Sequence, residues 1–227
     1  MIQMSRHIWC LNGRDPRYFL IVGEKRALVV DTGYGEEDIK ALARTVTDVP
    51  LLLVNTHRHL DHVTGDGQFE EVYAHPAEFE DIAVFNPRCV PVGEGFVFRL
   101  GGVSAEVIET PGHTPGAICL LCPEDRVLLI GDNASDATIY MHNPYSDPAA
   151  LADSLEKLLA RASEYDTVLC CHGTCPTDLD TMRRVIALGR GTLAGELRGR
   201  TVERNFRRGR QTVLLYERDG VSFYRPC

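Results

Sequence analysis

Three histidines and one aspartate lie within six residues of each other, directly after a run that has no polar side chain. The run, Leu-Leu-Leu-Val at 51–54, predicts a fully buried strand, and the eight residues after it have the sequence NTHRHLDH. If these residues stay extended, His57, His59 and Asp61 point the same way, whereas His62 points elsewhere and can serve a second ion. Imidazole and carboxylate groups are ligands that suit zinc, iron and manganese. The segment therefore predicts a metal site at a strand end, and an ordinary polar loop is the alternative interpretation.

Length and composition limit the classes of protein that this chain can belong to. The 227 residues can form one large α/β domain, and we expect a single domain over residues 1–227 because no linker or repeat interrupts them. The net charge of −8 argues against a general nucleic-acid binder. The sequence shows neither a long apolar run nor a signal pattern, so we expect no membrane association and a cytoplasmic location. Reduced cysteines fit that location, and we expect Cys119 and Cys122 to pack in the core.

The order of predicted elements places polar residues at several strand ends. Predicted strands cover residues 6–12, 17–22, 26–31, 51–54, 72–73, 96–100, 103–109, 117–122, 126–130, 167–171, 212–217 and 221–225. Predicted helices cover 36–46 and 147–163, and two more begin at Pro76 and near residue 177. Potential ligands stand just past five of the strand ends, namely Asp31, His57, His113, Asp132 and His172. Loops that follow strands of a rigid sheet are common places for functional sites.

These strand ends carry short motifs: DTG at 31–33, THRHLDH at 56–62, TPGHT at 110–114, GD at 131–132 and CHG at 171–173. In this order, over residues 26–173, they resemble the five successive motifs of the metallo-β-lactamase-fold hydrolases. The resemblance implies an α/β protein with a four-layer αβ/βα sandwich, in which two mixed sheets face each other between outer helices. It also implies two divalent metal ions, with zinc as the first expectation and iron or manganese as alternatives.

The resemblance assigns a role to each potential ligand. The first metal would be held by His57, His59 and His113, the second by Asp61, His62 and His172, and Asp132 would bridge them. Asp31 would be a buried residue that braces the histidine segment. Two such ions would provide a bridging hydroxide at neutral pH and stabilise an anionic transition state. Asp61 is the predicted catalytic residue, because it could orient that hydroxide and take its proton.

This sequence differs from known branches of the family, and the differences limit the substrates that we expect. True β-lactamases of this fold lack a bridging aspartate at the position of Asp132. The TPGHTPG segment at 110–116 resembles that of glyoxalase II thioesterases, but their glycine- and arginine-containing segment after Asp132 is missing. Acyl-homoserine lactonases carry a tyrosine where this chain has Ser135. We therefore predict hydrolysis of a small acyl compound, a thioester, ester or lactone. A phosphodiesterase or phosphonate-ester hydrolase with the same core, and a non-catalytic metal-binding sensor or effector domain, are the alternatives.

Two features stay without an assigned role. No proton donor for the leaving group is evident from the motifs, and Tyr140, His142 and Tyr145 are the nearby candidates after Asp132; an amine needs such a donor, whereas a thiolate can leave without one. A basic segment contains six arginines: Arg198, Arg200, Arg204, Arg207, Arg208 and Arg210. We favour a solvated surface for this segment, and recognition of a carboxylate or phosphate is the other interpretation.

The expected partner is a small-molecule substrate, and the sequence does not predict an oligomeric state.

Overall fold

The computed structural model describes residues 1–206 and 209–227, in which sixteen strands and five α-helices occur. The strands are β1 (Ile2–Gln3), β2 (Ile8–Cys10), β3 (Phe19–Val22), β4 (Ala27–Val30), β5 (Leu51–Val54), β6 (Val72–Ala74), β7 (Cys89–Pro91), β8 (Val97–Arg99), β9 (Ser104–Glu109), β10 (Ile118–Cys122), β11 (Val127–Gly131), β12 (Ile139–Tyr140), β13 (Thr167–Cys170), β14 (Arg200–Phe206), β15 (Gly209–Arg218) and β16 (Val221–Pro226). The helices are α1 (Ile39–Arg44), α2 (Leu60–Val63), α3 (Phe79–Ile82), α4 (Pro148–Ala160) and α5 (Leu179–Leu193).

Two mixed sheets form the body of the protein. The first contains β1 to β7 in chain order, antiparallel from β1 to β4 and parallel from β4 to β7. The second has the order β13-β11-β10-β9-β8, and only its β11–β13 pair is parallel. Strands β4 and β5 pair in register from Ala27 with Leu51 to Val30 with Val54. The residues that follow these two strands therefore emerge side by side at one sheet edge.

The apolar side chains form layers that match the predicted sandwich. Between the sheets, residues such as Val30 and Val54 of the first pack with Leu120 and Leu129 of the second in one buried cluster. A second cluster joins the outer face of the first sheet to helices α1, α2 and α3. A third joins the outer face of the second sheet to α4 and α5. Each sheet thus buries both faces, and the predicted four-layer fold is confirmed.

Helix α4 shows how local sequence fixes an outer layer. The Asp147 side chain accepts hydrogen bonds from the backbone of residues 149 and 150, and Pro148 occupies the first turn, as predicted. Leu151, Leu155 and Leu158 are buried against the second sheet.

Helix α5 continues past Gly189, where a Cβ would lie 3.1 Å from the Pro148 carbonyl oxygen. Glycine at this position therefore permits the close approach of the two helices, although its helix propensity is poor.

A third sheet, with the order β12-β16-β15-β14, was not predicted as a unit. Its inner face, which includes Ile139 and Phe223, packs on α5 in the same cluster as α4. Its outer face carries a small separate cluster of Val202, Val213, Leu215 and Tyr224. Within the basic segment, the structure forms strand β14 and the start of β15. The described arginines of the segment are exposed, so the predicted solvated surface is confirmed for them, although the strands themselves were not predicted there. Arg207 and Arg208 lie outside the described residues.

The cysteines are free, and Cys119 and Cys122 pack in the core, as predicted. All eight cysteines are free, and Cys119 and Cys122 are buried on opposite faces of β10. Opposed side chains cannot join in one metal site, so the CxxC pair serves packing.

None of the helices in the described residues has the length and apolar character needed to span a bilayer.

Candidate metal centre

The predicted ligands come together at the carboxyl ends of five strands. Strand β5 leads into the histidine segment, β4 into Asp31, β9 into the His113 loop, β11 into Asp132 and β13 into His172. The parallel pairs β4–β5 and β11–β13 point their carboxyl ends the same way within each sheet. The facing edges of two sheets thus place residues far apart in sequence around one centre.

The histidine segment does not stay extended, contrary to the prediction. His59 has an extended backbone but is the residue before helix α2, which begins at Leu60. The helix turns Asp61 away from His57 and His59, so the expectation that these three side chains share one direction is wrong. Asp61 instead joins His62, its neighbour in the helix, and His172.

The first group of potential ligands contains His57, His59, His113 and Asp132. One donor atom from each lies within 4.8 Å of the others. His113 Nε2 lies 2.9 Å from His59 Nδ1, and Asp132 Oδ2 lies 3.6 Å from His113 Nε2 and 3.8 Å from His57 Nε2. Three imidazole nitrogens and one carboxylate oxygen form a donor set that zinc accepts.

The second group contains Asp61, His62 and His172, and Asp132 lies against it as well. His172 Nε2 is 3.3 Å from Asp61 Oδ2 and 3.3 Å from Asp132 Oδ2. His62 Nε2 is 3.5 Å from Asp132 Oδ1 and 3.8 Å from Asp61 Oδ2. The Asp132 carboxylate therefore stands between the two groups. All seven residues named from the sequence meet here, and their role as metal ligands stays a prediction.

The residues present fit divalent metal ions. His57 Nε2, His62 Nε2 and Asp132 Oδ1 are buried and make no hydrogen bond within the described part of the chain. A buried polar atom without a partner is destabilising, and here all three atoms face one another across the centre. Imidazole nitrogens and carboxylate oxygens are the donors that zinc, iron and manganese accept. Metal ions would satisfy these atoms.

The protonation states of the metal-free centre are set by burial and mutual charge. Burial lowers the pKa of His57 and His59 well below the ordinary value and that of His113 to about 4, so these rings are neutral at pH 7. Burial also opposes the charge of His62 and His172, but the nearby carboxylates outweigh it. The pKa of His62 is raised well above its ordinary value and that of His172 to about 10. Metal binding must displace these protons.

Asp31 braces the histidine segment from behind, as the resemblance implied. Its Oδ1 accepts from the Thr56 backbone N–H at 2.7 Å, and its Oδ2 accepts from the Thr56 hydroxyl at 2.7 Å. His62 Nδ1 donates to the same Oδ2 at 2.8 Å. Once metal binding displaces the proton on Nε2, this hydrogen bond holds the His62 ring with its Nε2 lone pair directed at the centre. Asp31 is fully buried and has a left-handed backbone with φ 65°.

Glu78 is a second brace, which sequence reasoning missed. This buried carboxylate accepts from the Arg58 backbone N–H at 2.9 Å, between His57 and His59. Its other oxygen accepts from the Gly116 backbone N–H at 2.7 Å, in the loop of His113. Glu78 therefore ties two ligand-bearing loops together. No sequence pattern indicates this, because its partners lie 20 and 38 residues away.

The His113 loop is packed closely on the start of α4. The Ser146 hydroxyl donates to the His113 carbonyl at 3.0 Å, and the Asp147 N–H donates to the Gly112 carbonyl at 2.8 Å. Gly112 has φ 142°, and a Cβ there would lie 2.3 Å from the Leu151 backbone nitrogen. Only glycine allows this contact, so Gly112 lets the loop pack on α4 and thereby fixes the position of His113.

The three candidate proton donors occupy different positions. Tyr145 contacts the outer nitrogen of His59, with its hydroxyl 3.2 Å from Nε2. His142 stacks on Phe206 with ring centroids 4.3 Å apart and is not among the described residues that line the central cavity. Tyr140 lines that cavity, whose volume is about 280 Å³, together with Asp132 and His172. Of the three, Tyr140 is the one that shares a cavity with the centre.

Comparison of this chain with known protein families, curated proteins and solved structures agrees with the geometry of the centre. The model of the metallo-beta-lactamase superfamily matches residues 12–172, and the chain belongs to that family. The fold and the centre thus define a member of a hydrolase superfamily whose members bind divalent metals.

Among curated relatives, an acyl-coenzyme A thioesterase, MBLAC2 of Gallus gallus, is 29% identical over 188 residues, which cover 65% of this chain and 68% of that protein. A hydroxyacylglutathione hydrolase of Francisella philomiragia is 29% identical over 154 residues, covering 66% of this chain and 60% of that protein. Among solved structures, TTHA1623 in a di-iron-bound form is 28% identical with a TM-score of 0.61, covering 78% and 96% of the two chains. A metallo-beta-lactamase from Pontibacter korlensis, 19% identical with a TM-score of 0.69 over 83% and 97%, supports the fold alone.

Proposed function

We propose that the protein is a dinuclear metal-dependent hydrolase of small acyl compounds, with thioesters foremost and esters or lactones as related substrates. The position of Asp132 carries this proposal, because its carboxylate lies within 3.3–3.8 Å of imidazoles from both groups of potential ligands. One carboxylate shared between two clusters suits a pair of ions. Zinc is the expected metal, and the di-iron form of the 28% identical TTHA1623 supports iron as the alternative.

Each of the seven side chains has a place in this proposal. His57, His59 and His113 would hold one ion, Asp61, His62 and His172 the other, and Asp132 would bridge. When bound, the ions supply a nucleophile at neutral pH and positive charge opposite an oxyanion.

Asp61 is the proposed proton acceptor. Burial raises the pKa of its carboxyl, but the charges of His62 and His172 outweigh burial and bring that pKa to about 2. In the metal-free chain the group is therefore ionised. Its position as a carboxylate of the centre, with Oδ2 3.3 Å from His172 Nε2, supports the role of proton acceptor.

Tyr140 is the hydroxyl best placed to give a proton to the leaving group. It lines the cavity with Asp132 and His172, and burial together with nearby charges raises its pKa. A raised pKa keeps the phenol protonated at neutral pH, so its O–H can donate. Tyr145 is not assigned this role, because its hydroxyl contacts the outer nitrogen of His59. It would instead hold that ring in place.

Thioesters are favoured by two observations. The relatives that match most of this chain include an acyl-coenzyme A thioesterase and a hydroxyacylglutathione hydrolase, both named for thioester substrates. A thiolate can also leave without a strong general acid, which suits a cavity whose candidate proton donor is the weakly acidic phenol of Tyr140. The net charge of −8 offers no track for a nucleic acid, so the proposed partner is a small molecule.

A substrate panel with metal-loaded protein tests the proposal. It should contain an acyl thioester, an aryl ester, a lactone and a phosphodiester of comparable size. We expect thioester hydrolysis that His113→Ala abolishes and that Arg126→Gln, which breaks an exposed ion pair with Asp166, leaves unchanged. Hydrolysis of the phosphodiester alone would favour a phosphodiesterase, and no turnover of any substrate would favour a sensor or effector domain.

A further inference from the structure

The outer face of the third sheet carries aromatic rings and an arginine that the metal centre does not use. We call this set the outer aromatic face; it consists of Tyr140, His142, Arg204, Phe206 and Tyr224. The rings of Tyr140 and Tyr224 are stacked with centroids 5.5 Å apart, and Phe206 meets Tyr140 edge-on at 5.6 Å. Arg204, Phe206 and Tyr224 lie beyond residue 172, where the family match ends. The family match therefore does not include these three residues.

This face borders the cavity of the metal centre. Tyr140 and Tyr224 line the same cavity of about 280 Å³ as Asp132 and His172. Strand pairing explains the arrangement, because Tyr140 of β12 lies directly opposite Tyr224 of β16. Tyr140 is 43% exposed, so part of its ring is open to a ligand. A molecule that reaches the metal centre through this cavity passes the outer aromatic face.

Arg204 is the cation of this face, and its guanidinium is not neutralised. Its Nε donates to the Tyr224 hydroxyl at 2.7 Å and its Nη1 to the Glu203 carbonyl at 3.4 Å, and it makes no ion pair with any described residue. Other arginines of the same hairpin are paired, Arg200 with Glu217 at 3.2 Å and Arg210 with Glu203. A guanidinium has five N–H donors, so most of those of Arg204 are available to an acceptor with two oxygens.

We propose that Arg204 binds an anionic group of the substrate, a phosphate or a carboxylate distant from the bond that is cleaved, while Phe206 provides flat apolar contact beside it. Guanidinium groups bind both anions in a bidentate geometry, and aromatic rings next to them accept planar groups. The inference rests on the proposed thioesterase function and narrows its substrate to thioesters of anionic thiols. Coenzyme A would supply phosphates and a planar base, and glutathione would supply carboxylates.

The test compares thioesters that carry one acyl group on coenzyme A, glutathione or pantetheine, which lacks both kinds of anion. Wild-type protein should hydrolyse at least one anionic thioester with a kcat/KM about tenfold or more above that of the pantetheine thioester, because only the anionic thiols can form a charge-assisted hydrogen bond with Arg204. Arg204→Gln should bring this ratio close to one, mainly through KM. Arg200→Gln removes the same charge from the same strand and should leave the ratio unchanged.

Binding of the free thiols supplies a readout without turnover. Calorimetry with metal-loaded protein should show about tenfold weaker binding of coenzyme A or glutathione to Arg204→Gln than to wild type and Arg200→Gln. A loss confined to coenzyme A identifies phosphate, and a loss confined to glutathione identifies carboxylate. Equal affinities and equal ratios in all three proteins would overturn the anion site. If binding depends on Arg204 but no thioester is hydrolysed, the anion site stands and the proposed thioesterase function fails.

Discussion

Asp31 accepts a hydrogen bond from His62 Nδ1 at 2.8 Å while its two oxygens also hold the backbone and the hydroxyl of Thr56. One buried carboxylate thus connects strand β4 to the first residues after β5 and to helix α2. The same carboxylate selects the His62 tautomer whose Nε2 faces the metal centre. Fold stability and ligand geometry depend on the same three hydrogen bonds.

Asp31→Ala should damage folding more than turnover per metal-loaded chain. The substitution leaves three buried donors without an acceptor, and each such donor costs about 1–3 kcal/mol. Denaturant unfolding and turnover at saturating metal measure the two effects. Asp15→Ala is the matched control, because the Asp15 carboxylate accepts from Gly173 N–H near His172 but is 44% exposed. If both variants unfold at the same denaturant concentration, Asp31 is not the brace described above.

Asp61→Asn, in contrast to Asp31→Ala, should reduce turnover more than it reduces the stability of the fold. Asp61 lies at the centre and contacts the imidazoles of His62 and His172, not the apolar core. We expect turnover to fall by about 10²–10⁴-fold, the usual effect of removing a general base, with a change in unfolding free energy of less than about 1 kcal/mol. Thermal unfolding, metal content and hydrolysis rate should be measured on one preparation. Equal losses of stability and rate would show that Asp61 is chiefly structural.

Metal content should reach two ions per chain after reconstitution. Elemental analysis after removal of free metal measures this. His113→Ala should weaken one site, because His113 belongs to one group of potential ligands, and Asp132→Ala should weaken both, because Asp132 lies between the groups. A wild-type chain that never exceeds one ion would contradict the dinuclear proposal.

The parts of the site that the sequence predicted are those encoded over a few residues. A strand and the potential ligand just past its end are adjacent in the chain, so Asp31, Asp132 and His172 could be placed at a sheet edge by pattern alone. The direction of Asp61 could not be placed in this way. A four-residue helix begins directly after His59, and its short length leaves no helical period to recognise.

The parts that were missed depend on contacts between distant segments. Glu78 shows no local signal, although it holds the loops of His57 and His113 in place. The strand at 200–206 was missed because arginines alternate with only two apolar residues, Val202 and Phe206. Its pairing with β15 and the packing of the third sheet on α5 stabilise this strand despite its weak pattern.

Asp66 should make the fold less stable as pH rises. It is fully buried, accepts from the Thr32 hydroxyl at 2.7 Å and from Asn55 Nδ2 at 3.2 Å, and burial raises its pKa from 3.8 to about 8. Between these two values the folded chain binds more protons than the unfolded chain, so stability falls with pH by at most about 1.4 kcal/mol per unit. Below pH 4 and above pH 8 this contribution is flat.

Asp66→Asn removes that titration. The stability of the variant relative to wild type should therefore rise from pH 4 to pH 8, as measured by denaturant unfolding at constant metal content. Groups of the metal centre titrate in both proteins and cancel in the difference. A difference that does not vary with pH would show that Asp66 is ionised throughout.

Hydrolysis should favour good leaving groups, with thioesters and activated esters faster than amides. An amine must be protonated to leave, whereas a thiolate need not be, and Tyr140 is the one candidate donor that lines the cavity. A series of aryl esters with increasing leaving-group pKa measures the dependence. Tyr140→Phe should make the rate fall more steeply along the series, because poor leaving groups lose their proton donor.

Tyr145→Phe and His142→Ala serve as the matched controls for that series. Tyr145 contacts the outer nitrogen of His59 and His142 stacks on Phe206, so neither change should alter the slope. Tyr145→Phe should instead weaken metal binding modestly, because His59 loses a partner on its outer nitrogen. An unchanged slope in Tyr140→Phe would remove Tyr140 as the donor. If every acyl substrate fails while a phosphodiester is cleaved efficiently, the acyl proposal is wrong and the same centre serves phosphodiester hydrolysis.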